Sequence, residues 1–222
     1  SSATLTGNGA STYTWNPGAI AGTTIAVTPT VTTVYTVTGT SATGCTNTTT
    51  LSLTVNANPT LSVAAAANTI CAGSTTTLGA IGAVSYTWNP GGTTGFTVAV
   101  SPTITTTYSV TGANITGCST TNTLTINVIV SPTVTAIASP TAICSGSSST
   151  LTANGATSYT WNPGALSGTT IVVTPTSTTI YTVTGDNGIC SNTTTVSLTV
   201  NPTLTLTASS NPTVLCIGNT AT

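Results

Sequence analysis

The sequence predicts an all-β protein built as a tandem of β-sandwich repeats, each about 72–73 residues long. Three observations predict it. The hexapeptide YTWNPG stands at Tyr13–Gly18, Tyr86–Gly91 and Tyr159–Gly164, spaced by 73 residues. A second landmark follows each copy at a fixed distance: YTVTG from Tyr35, YSVTG from Tyr108 and YTVTG from Tyr181. Apolar residues alternate with Thr and Ser at period two along the whole chain, and no stretch carries a helical period.

The third repeat justifies the elements in order. Leu151 opens a strand that closes at the Asn154-Gly155 turn. Tyr159 and Trp161 share one face of the next, which ends at Asn162-Pro163-Gly164. Ile171 and Val173 form a strand closed by Pro175, and Tyr181 and Val183 one closed by Gly185. Val196, Leu198 and Val200 form a fifth, ended by Asn201-Pro202, after which Leu204 and Leu206 open a following unit. The other repeats match: Ile25 and Val27, then Val98 and Val100, supply the third strand's apolar pair. Leu51, Leu53 and Val55, then Leu124, Ile126 and Val128, supply the fifth's. The division expected is 1–57 (a repeat lacking its first strand), 58–130, 131–200, and 201–222 as the first strand of a following repeat or a donated strand.

The few aromatics say which sandwich this is. Trp15, Trp88 and Trp161 lie on the strand that would be the central third one of an immunoglobulin-like domain, where a buried Trp anchors the core. Tyr35, Tyr108 and Tyr181 stand where a tyrosine-corner residue would start the penultimate strand. All six are expected core anchors. A Tyr–Trp pair lining a sugar groove is the functional alternative, which the lack of accompanying carboxylate, Gln or Arg disfavours.

Composition excludes much. The chain has no Lys, Arg or His, and Asp186 is its single acidic residue. General acid–base catalysis needs a titratable group near working pH, and a Ser, Thr or Cys nucleophile needs a base or cation beside it. One Asp cannot build a calcium site, and no close Cys pair or His supports zinc. Nucleic-acid binding begins with Lys and Arg on phosphates. The expectation is no catalytic residue, no cofactor, no metal and no nucleic-acid partner. No apolar run of the length a membrane helix needs is present.

Cysteines fall at 45, 71, 118, 144, 190 and 216, alternating spacings of 26 with 46 or 47. Regular placement without metal ligands reads as a disulfide framework and an extracellular, oxidising setting; buried free thiols are the alternative. The pairing expected is Cys71–Cys118 and Cys144–Cys190, each spanning one repeat and contributing about 4 kcal/mol in the chain-entropy model. Cys45–Cys71 with Cys118–Cys144, stapling the joints between neighbours, is the competing pairing.

The string C-x-G…YTWNPG…TxTxxYTVTG…C…TVSLTVNP resembles the immunoglobulin-like, PKD-like tandem repeats of very large secreted proteins of Bacteroidota. Similar modules occur in cell-surface adhesins of gliding bacteria exported by the type IX route. The resemblance spans the chain and implies the fold, but the same module serves as adhesin stalk, filament body and spacer beside secreted enzymes. The Asp-rich turns of many PKD domains are missing here, as is the Lys that an intramolecular isopeptide bond needs. Neither calcium rigidification nor isopeptide crosslinking carries over.

Two functions remain: a structural segment of an extracellular filament or adhesin stalk, or a module that binds glycan or ice through Thr-rich faces. The sameness of the loops favours the first, since a binding site asks for one specialised loop. Phe96 and Asp186 are the only individual marks. A formal charge of −1 on so apolar a chain favours association, so either O-glycans coat the Thr and Ser rows or the surfaces pack in a fibre. Asn47, Asn114 and Asn192 stand in N-x-[ST] sequons, which arise by chance in Thr-rich sequence.

The first repeat lacks a leading strand and a partner for Cys45, while Asn201–Thr222 supplies a leading strand and Cys216. The expected partner is therefore a neighbouring copy, joined head to tail, with Cys216 bonded to Cys45 across the junction (or Cys45 bonded to the equivalent preceding cysteine). A continuous longer polypeptide is the alternative.

Overall fold

The computed structural model describes residues 2–209 and Ile217. The first repeat forms β1 (Ala3–Thr6), β2 (Thr12–Asn16), β3 (Ile20–Ala21), β4 (Thr24–Val27), β5 (Thr33–Thr40) and β6 (Thr46–Leu53). The second forms β7 (Ser62–Ala65), β8 (Thr69–Cys71), β9 (Thr76–Ile81), β10 (Ser85–Asn89), β11 (Thr93–Thr94), β12 (Thr97–Val100), β13 (Thr106–Ala113) and β14 (Ser119–Ile129). The third forms β15 (Thr135–Ser139), β16 (Ala142–Cys144), β17 (Ser149–Asn154), β18 (Ser158–Asn162), β19 (Leu166–Ser167), β20 (Thr170–Val173), β21 (Thr179–Asp186) and β22 (Ser191–Asn201). Thr, Val and Ile fill these strands because β-branched side chains suit a pleated, half-buried surface.

The third repeat shows the design. One sheet has the order β15-β17-β20, the other β16-β22-β21-β18-β19. The leading segment serves both: β15 runs antiparallel to β17, and after Pro140 the chain crosses over, so that β16 runs parallel to the end of β22, with Cys144 opposite Asn201. Proline interrupts a ladder because it has no N–H to donate. Between the sheets lies one core, with Leu151, Ala153, Trp161, Val183 and Leu198 sealed from solvent and Ile143, Ile171, Val173, Tyr159 and Tyr181 packed around them. This is an immunoglobulin-like sandwich, and the protein is a tandem of them.

Each NPG turn is built for a hairpin. Gly18 and Gly164 sit at φ 106° and 109°, and Ala19 and Ala165 follow at 49° and 48°, with Gly92 (62°) at the equivalent place in the second repeat. The first of these angles suits only glycine. The turn brings Trp15 opposite Ile20 and Trp161 opposite Leu166, a short flanking strand that period-two reading does not reveal.

The chain divides into two compact units, one of Ser1–Ala66, Thr77–Val100 and Thr107–Thr125, the other of Ala67–Thr76, Ser101–Thr106 and Ile126–Thr222. In the first unit, Leu5, Tyr13, Trp15, Ile25, Val27, Tyr35 and Val37 form one core. In the second repeat Trp88 and Tyr108 are buried likewise.

Two expectations need correction. The disulfide is Cys71–Cys190, and it lies within the second unit; Cys118 and Cys144, expected to pair with these two, are free thiols, as is Cys45. Neither joint pairing, Cys45–Cys71 or Cys118–Cys144, is present. Strand geometry gives the reason. Cys144 aligns with Asn201, the last residue of β22, whereas Cys190 immediately precedes Ser191, the first. An extended strand of that length sets the two about 30–35 Å apart, against the ~7 Å limit on Cα separation in a disulfide. Cys71 likewise aligns with Ile129, at the end of β14. Cys190 reaches it because its hairpin is tied to that same point, Cys190 Sγ lying 3.7 Å from the Ile129 carbonyl and Asn187 Nδ2 donating to Val130 O. The bridge thus joins the leading strand of one repeat to the last hairpin of the next. Cys216 lies outside the described residues.

The second correction concerns the tyrosine corner. Tyr35, Tyr108 and Tyr181 are buried, but the hydroxyl-to-backbone bonds belong to Tyr13, Tyr86 and Tyr159. Each lies beside its own turn, so that Tyr159 OH accepts from Ala156 N at 2.6 Å and donates to Ala156 O at 2.9 Å.

Candidate functional site

Comparing equivalent positions isolates one place where the repeats differ. In the second and third repeats the segment Pro-Thr-Leu/Val that precedes the first strand crosses a conserved spot of the repeat. A Cβ on Gly82 would lie 1.9 Å from Thr60 O, and one on Gly155 1.9 Å from Thr133 O. Leu61 and Val134 then bury themselves against Gly112 and Gly185, where a Cβ would meet them at 2.5 and 2.6 Å. The matching glycines of the first repeat are Gly9 and Gly39. Nothing lies within 4 Å of a Cβ on Gly9, and around Gly39 only Ala10 and Tyr13 approach.

The result is an open groove of about 380 Å³ walled by Gly7, Gly9, Ala10, Tyr13, Val37 and Gly39, with Cys45 and Thr46–Thr49 at its rim. Two strand edges flank it. Among the described residues β1 pairs with β4 alone, and β6 with β5 alone. Their counterparts are covered: β9 and β17 carry β7 and β15, and β14 and β22 carry β8 and β16. Burial follows. Ile126 and Leu198 are sealed, while Leu53 at the same position is only half-buried and Leu51 beside it is 45% exposed.

Cys45 is exposed at the mouth of this groove, held by a hairpin in which Ser41 Oγ accepts from Cys45 N. Cys118 occupies the same hairpin of the second repeat, its Sγ 3.7 Å from Asn56 O. Cys144 is exposed at the end of β16.

A second surface runs along the strands. Thr14, Thr38 and Thr48 stand abreast on β2, β5 and β6, and Thr160, Thr184 and Thr193 abreast on β18, β21 and β22. Neighbouring hydroxyls bond to each other, as in Thr111–Thr121 and Thr107–Thr125, both 2.8 Å apart. The sequons are spoken for in part: Asn114 Nδ2 donates to Ala57 O and Asn192 Nδ2 to Pro132 O. Asp186 closes its own hairpin, its carboxylate accepting from Gly188 N. Phe96, 68% exposed, borders a shallow apolar hollow with Val63 and Ile81.

Sequence reading did not show the groove. Its signal was present as glycine at positions 9, 82 and 155, and again at 39, 112 and 185. These read equally well as turn and strand-end residues.

No family model and no curated protein matches the chain. Solved structures of tandem immunoglobulin-like domains do. Three N-terminal domains of the bacteriophage RB49 highly immunogenic outer capsid protein match at 18% identity and TM-score 0.35, over 64% of this chain and 59% of that one. A 1.5-MDa bacterial ice-binding adhesin matches at 15% identity and TM-score 0.32, over 91% of both chains. A Ca2+-stabilised adhesin of an Antarctic bacterium that binds ice matches at 16% and 0.37, over 92% of this chain and 69% of that one. Likeness at this level carries nothing about function. No helix among the described residues is long and apolar enough to cross a membrane.

Proposed function

We propose that this chain is a non-catalytic structural segment of an extracellular filament or adhesin stalk, continued head to tail, with 58–130 and 131–200 as complete beads. The observation that carries the reading is the tandem itself: three copies of one motif fold as one kind of sandwich, and Cys71 in the leading strand of the second repeat is bonded to Cys190 in the last hairpin of the third. The Cys71–Cys190 bridge suits an oxidising, extracellular or cell-surface location. The sequence has no His, Lys, Arg or Glu, and Asp186 is its single carboxylate side chain, which leaves little for general acid–base chemistry. The motif resemblance to secreted Bacteroidota repeats adds type IX export to the proposal, and the Thr rows add O-glycans. Cryo-electron microscopy of native material tests it: fibres with a repeating sandwich density are expected, and particles of one chain with no axial continuation would overturn it.

A second reading rests on the threonines standing abreast on three strands, a hydroxyl array suited to glycan or ice. Saturable glycan binding or inhibited ice recrystallisation by the 222-residue chain would favour it.

A further inference from the structure

We propose that the outer face of the second repeat's three-stranded sheet, β12-β9-β7, is a contact surface for a second copy of this chain, in which Phe96 of each copy enters the hollow over Gly79 of the other. The contact joins chains side by side, and it stands or falls independently of the head-to-tail reading.

At the centre of this face the second repeat lacks side chains that its neighbours carry. Gly79 stands where the first and third repeats have Thr6 and Thr152. Ala64, paired with Gly79, stands where the third repeat pairs Ile137 with Thr152. The backbone does not ask for this glycine: its φ lies outside the left-handed region, and nothing comes closer than 4.0 Å to a Cβ built on it. Glycine inside a strand weakens the strand and commonly marks a place where a ligand or another chain comes close. At the rim the exchange runs the other way. Phe96 replaces Thr23 and Thr169, whose carbonyls accept the equivalent backbone bond, and Ile81 replaces Asn8 and Asn154. Both apolar side chains are 68% exposed. Small residues at the floor and large apolar ones at the rim leave an apolar hollow of about 220 Å³.

The occupant follows from what stands beside the hollow. A cavity of about 150 Å³ admits a benzene ring, so this one has room for a phenyl group. The single phenylalanine of the sequence stands at its rim. A knob and a hole on one surface complement each other across a two-fold axis, each Phe96 meeting the Gly79 of the other copy. No charge opposes the approach, since the chain has no Lys or Arg and its one acidic residue, Asp186, belongs to the third repeat. Charged side chains are what sheets ordinarily use to prevent such contacts. The walls give a sugar's hydroxyls few hydrogen-bond partners, which disfavours glycan as the occupant. Three strands of four to six residues, about 4.8 Å apart, cover roughly 250 Å², well short of the ~800 Å² per partner of a standard interface. One such contact is therefore weak, in the high-micromolar to millimolar range, and gains strength where several chains lie abreast.

The test is analytical ultracentrifugation of the 222-residue chain with Cys45, Cys118, Cys144 and Cys216 replaced by Ser, leaving Cys71 and Cys190 to form their bridge. The average mass should climb from 21.6 kDa toward twice that as the concentration enters the millimolar range. Gly79→Thr and Phe96→Thr each restore the residue that the other repeats carry. Each should weaken association at least about tenfold, as truncating an interface anchor does, while keeping a cooperative melt. Mixed together, the two variants should associate more tightly than either alone, because Gly79→Thr keeps the knob and Phe96→Thr keeps the hole. A parent chain that stays monomeric, a Gly79→Thr variant that associates like the parent, or a mixture no tighter than its components would overturn the contact. Titrated glucose that shifts the Gly79 and Phe96 amide signals in NMR while the chain stays monomeric would place a sugar in the hollow and overturn the second copy as occupant. None of these outcomes bears on the filament, which axial continuity in native material decides.

Discussion

Exchanging one cysteine at a time distinguishes the pairing seen here from the pairing that spacing suggests. In a background with Cys45, Cys144 and Cys216 replaced by Ser, Cys71→Ser removes the bridge to Cys190. The bridge closes a loop across a sequence separation of 119, and cross-linking of that span stabilises by about 5 kcal/mol in the chain-entropy model. That is more than a thousandfold in the folding equilibrium. Cys190→Ser should cost at least as much, since its sulfur is buried. Cys118→Ser, at a free thiol, should change stability by less than about 0.5 kcal/mol. Guanidinium unfolding followed by Trp fluorescence measures all three, and reduction should bring the parent down to the level of Cys71→Ser. If instead Cys118→Ser and Cys71→Ser each lost about 4 kcal/mol, the cysteines would be pairing within repeats and the geometry described here would be wrong.

Other outcomes follow from single side chains. Tyr159→Phe deletes a hydroxyl bonded to both N and O of Ala156 and should cost about 1–3 kcal/mol. Tyr181→Phe, whose hydroxyl makes no hydrogen bond among the described residues, should cost less than about 1 kcal/mol; equal losses in denaturant titrations would contradict the corner assignment. Ala165→Gly relieves a left-handed Ala at φ 48° and should raise stability by about 0.5–1 kcal/mol, as Gly92 does by nature in the second repeat. Burial raises the Tyr181 pKa above 10.0. Because the folded phenol holds its proton after the unfolded one has lost it, the stability this group contributes is intact below pH 10 and falls as pH rises beyond it. The sequence holds no His, the side chain that ordinarily changes charge between pH 5 and 8. Thermal melts should be level there and decline in alkali, and a melt that rises above pH 10 would refute the assignment.

What the sequence disclosed is what its period encodes. Trp161 and Val183 face the core because period-two alternation puts them there, and the tandem follows from three copies of one motif. The disulfide was not legible because cysteine spacing records distance along the chain, not which end of an eleven-residue strand a partner occupies. Knowing that β16 runs parallel to the far end of β22 required the crossover at Pro140. The two tyrosines of each repeat are equivalent by composition, and only the turn beside Tyr159 decides which one bonds backbone. The groove was hidden for a related reason: a glycine at position 9 looks like any turn glycine until Gly82 and Gly155 are seen with carbonyls lying on them.

The Cys71–Cys190 bridge also governs how the chain bears a pull. A force applied along the polypeptide reaches Cys71, passes through the sulfurs, and leaves at Cys190, so the residues between them are relieved of tension. With a separation of 119 residues, up to roughly 400 Å of extended backbone is withheld from stretching as long as the sulfur link survives. Rupture then calls for breaking or reducing a covalent bond rather than unzipping a sheet, and the sandwich of the third repeat up to its last hairpin can stay folded under loads that would shear its hydrogen bonds one by one.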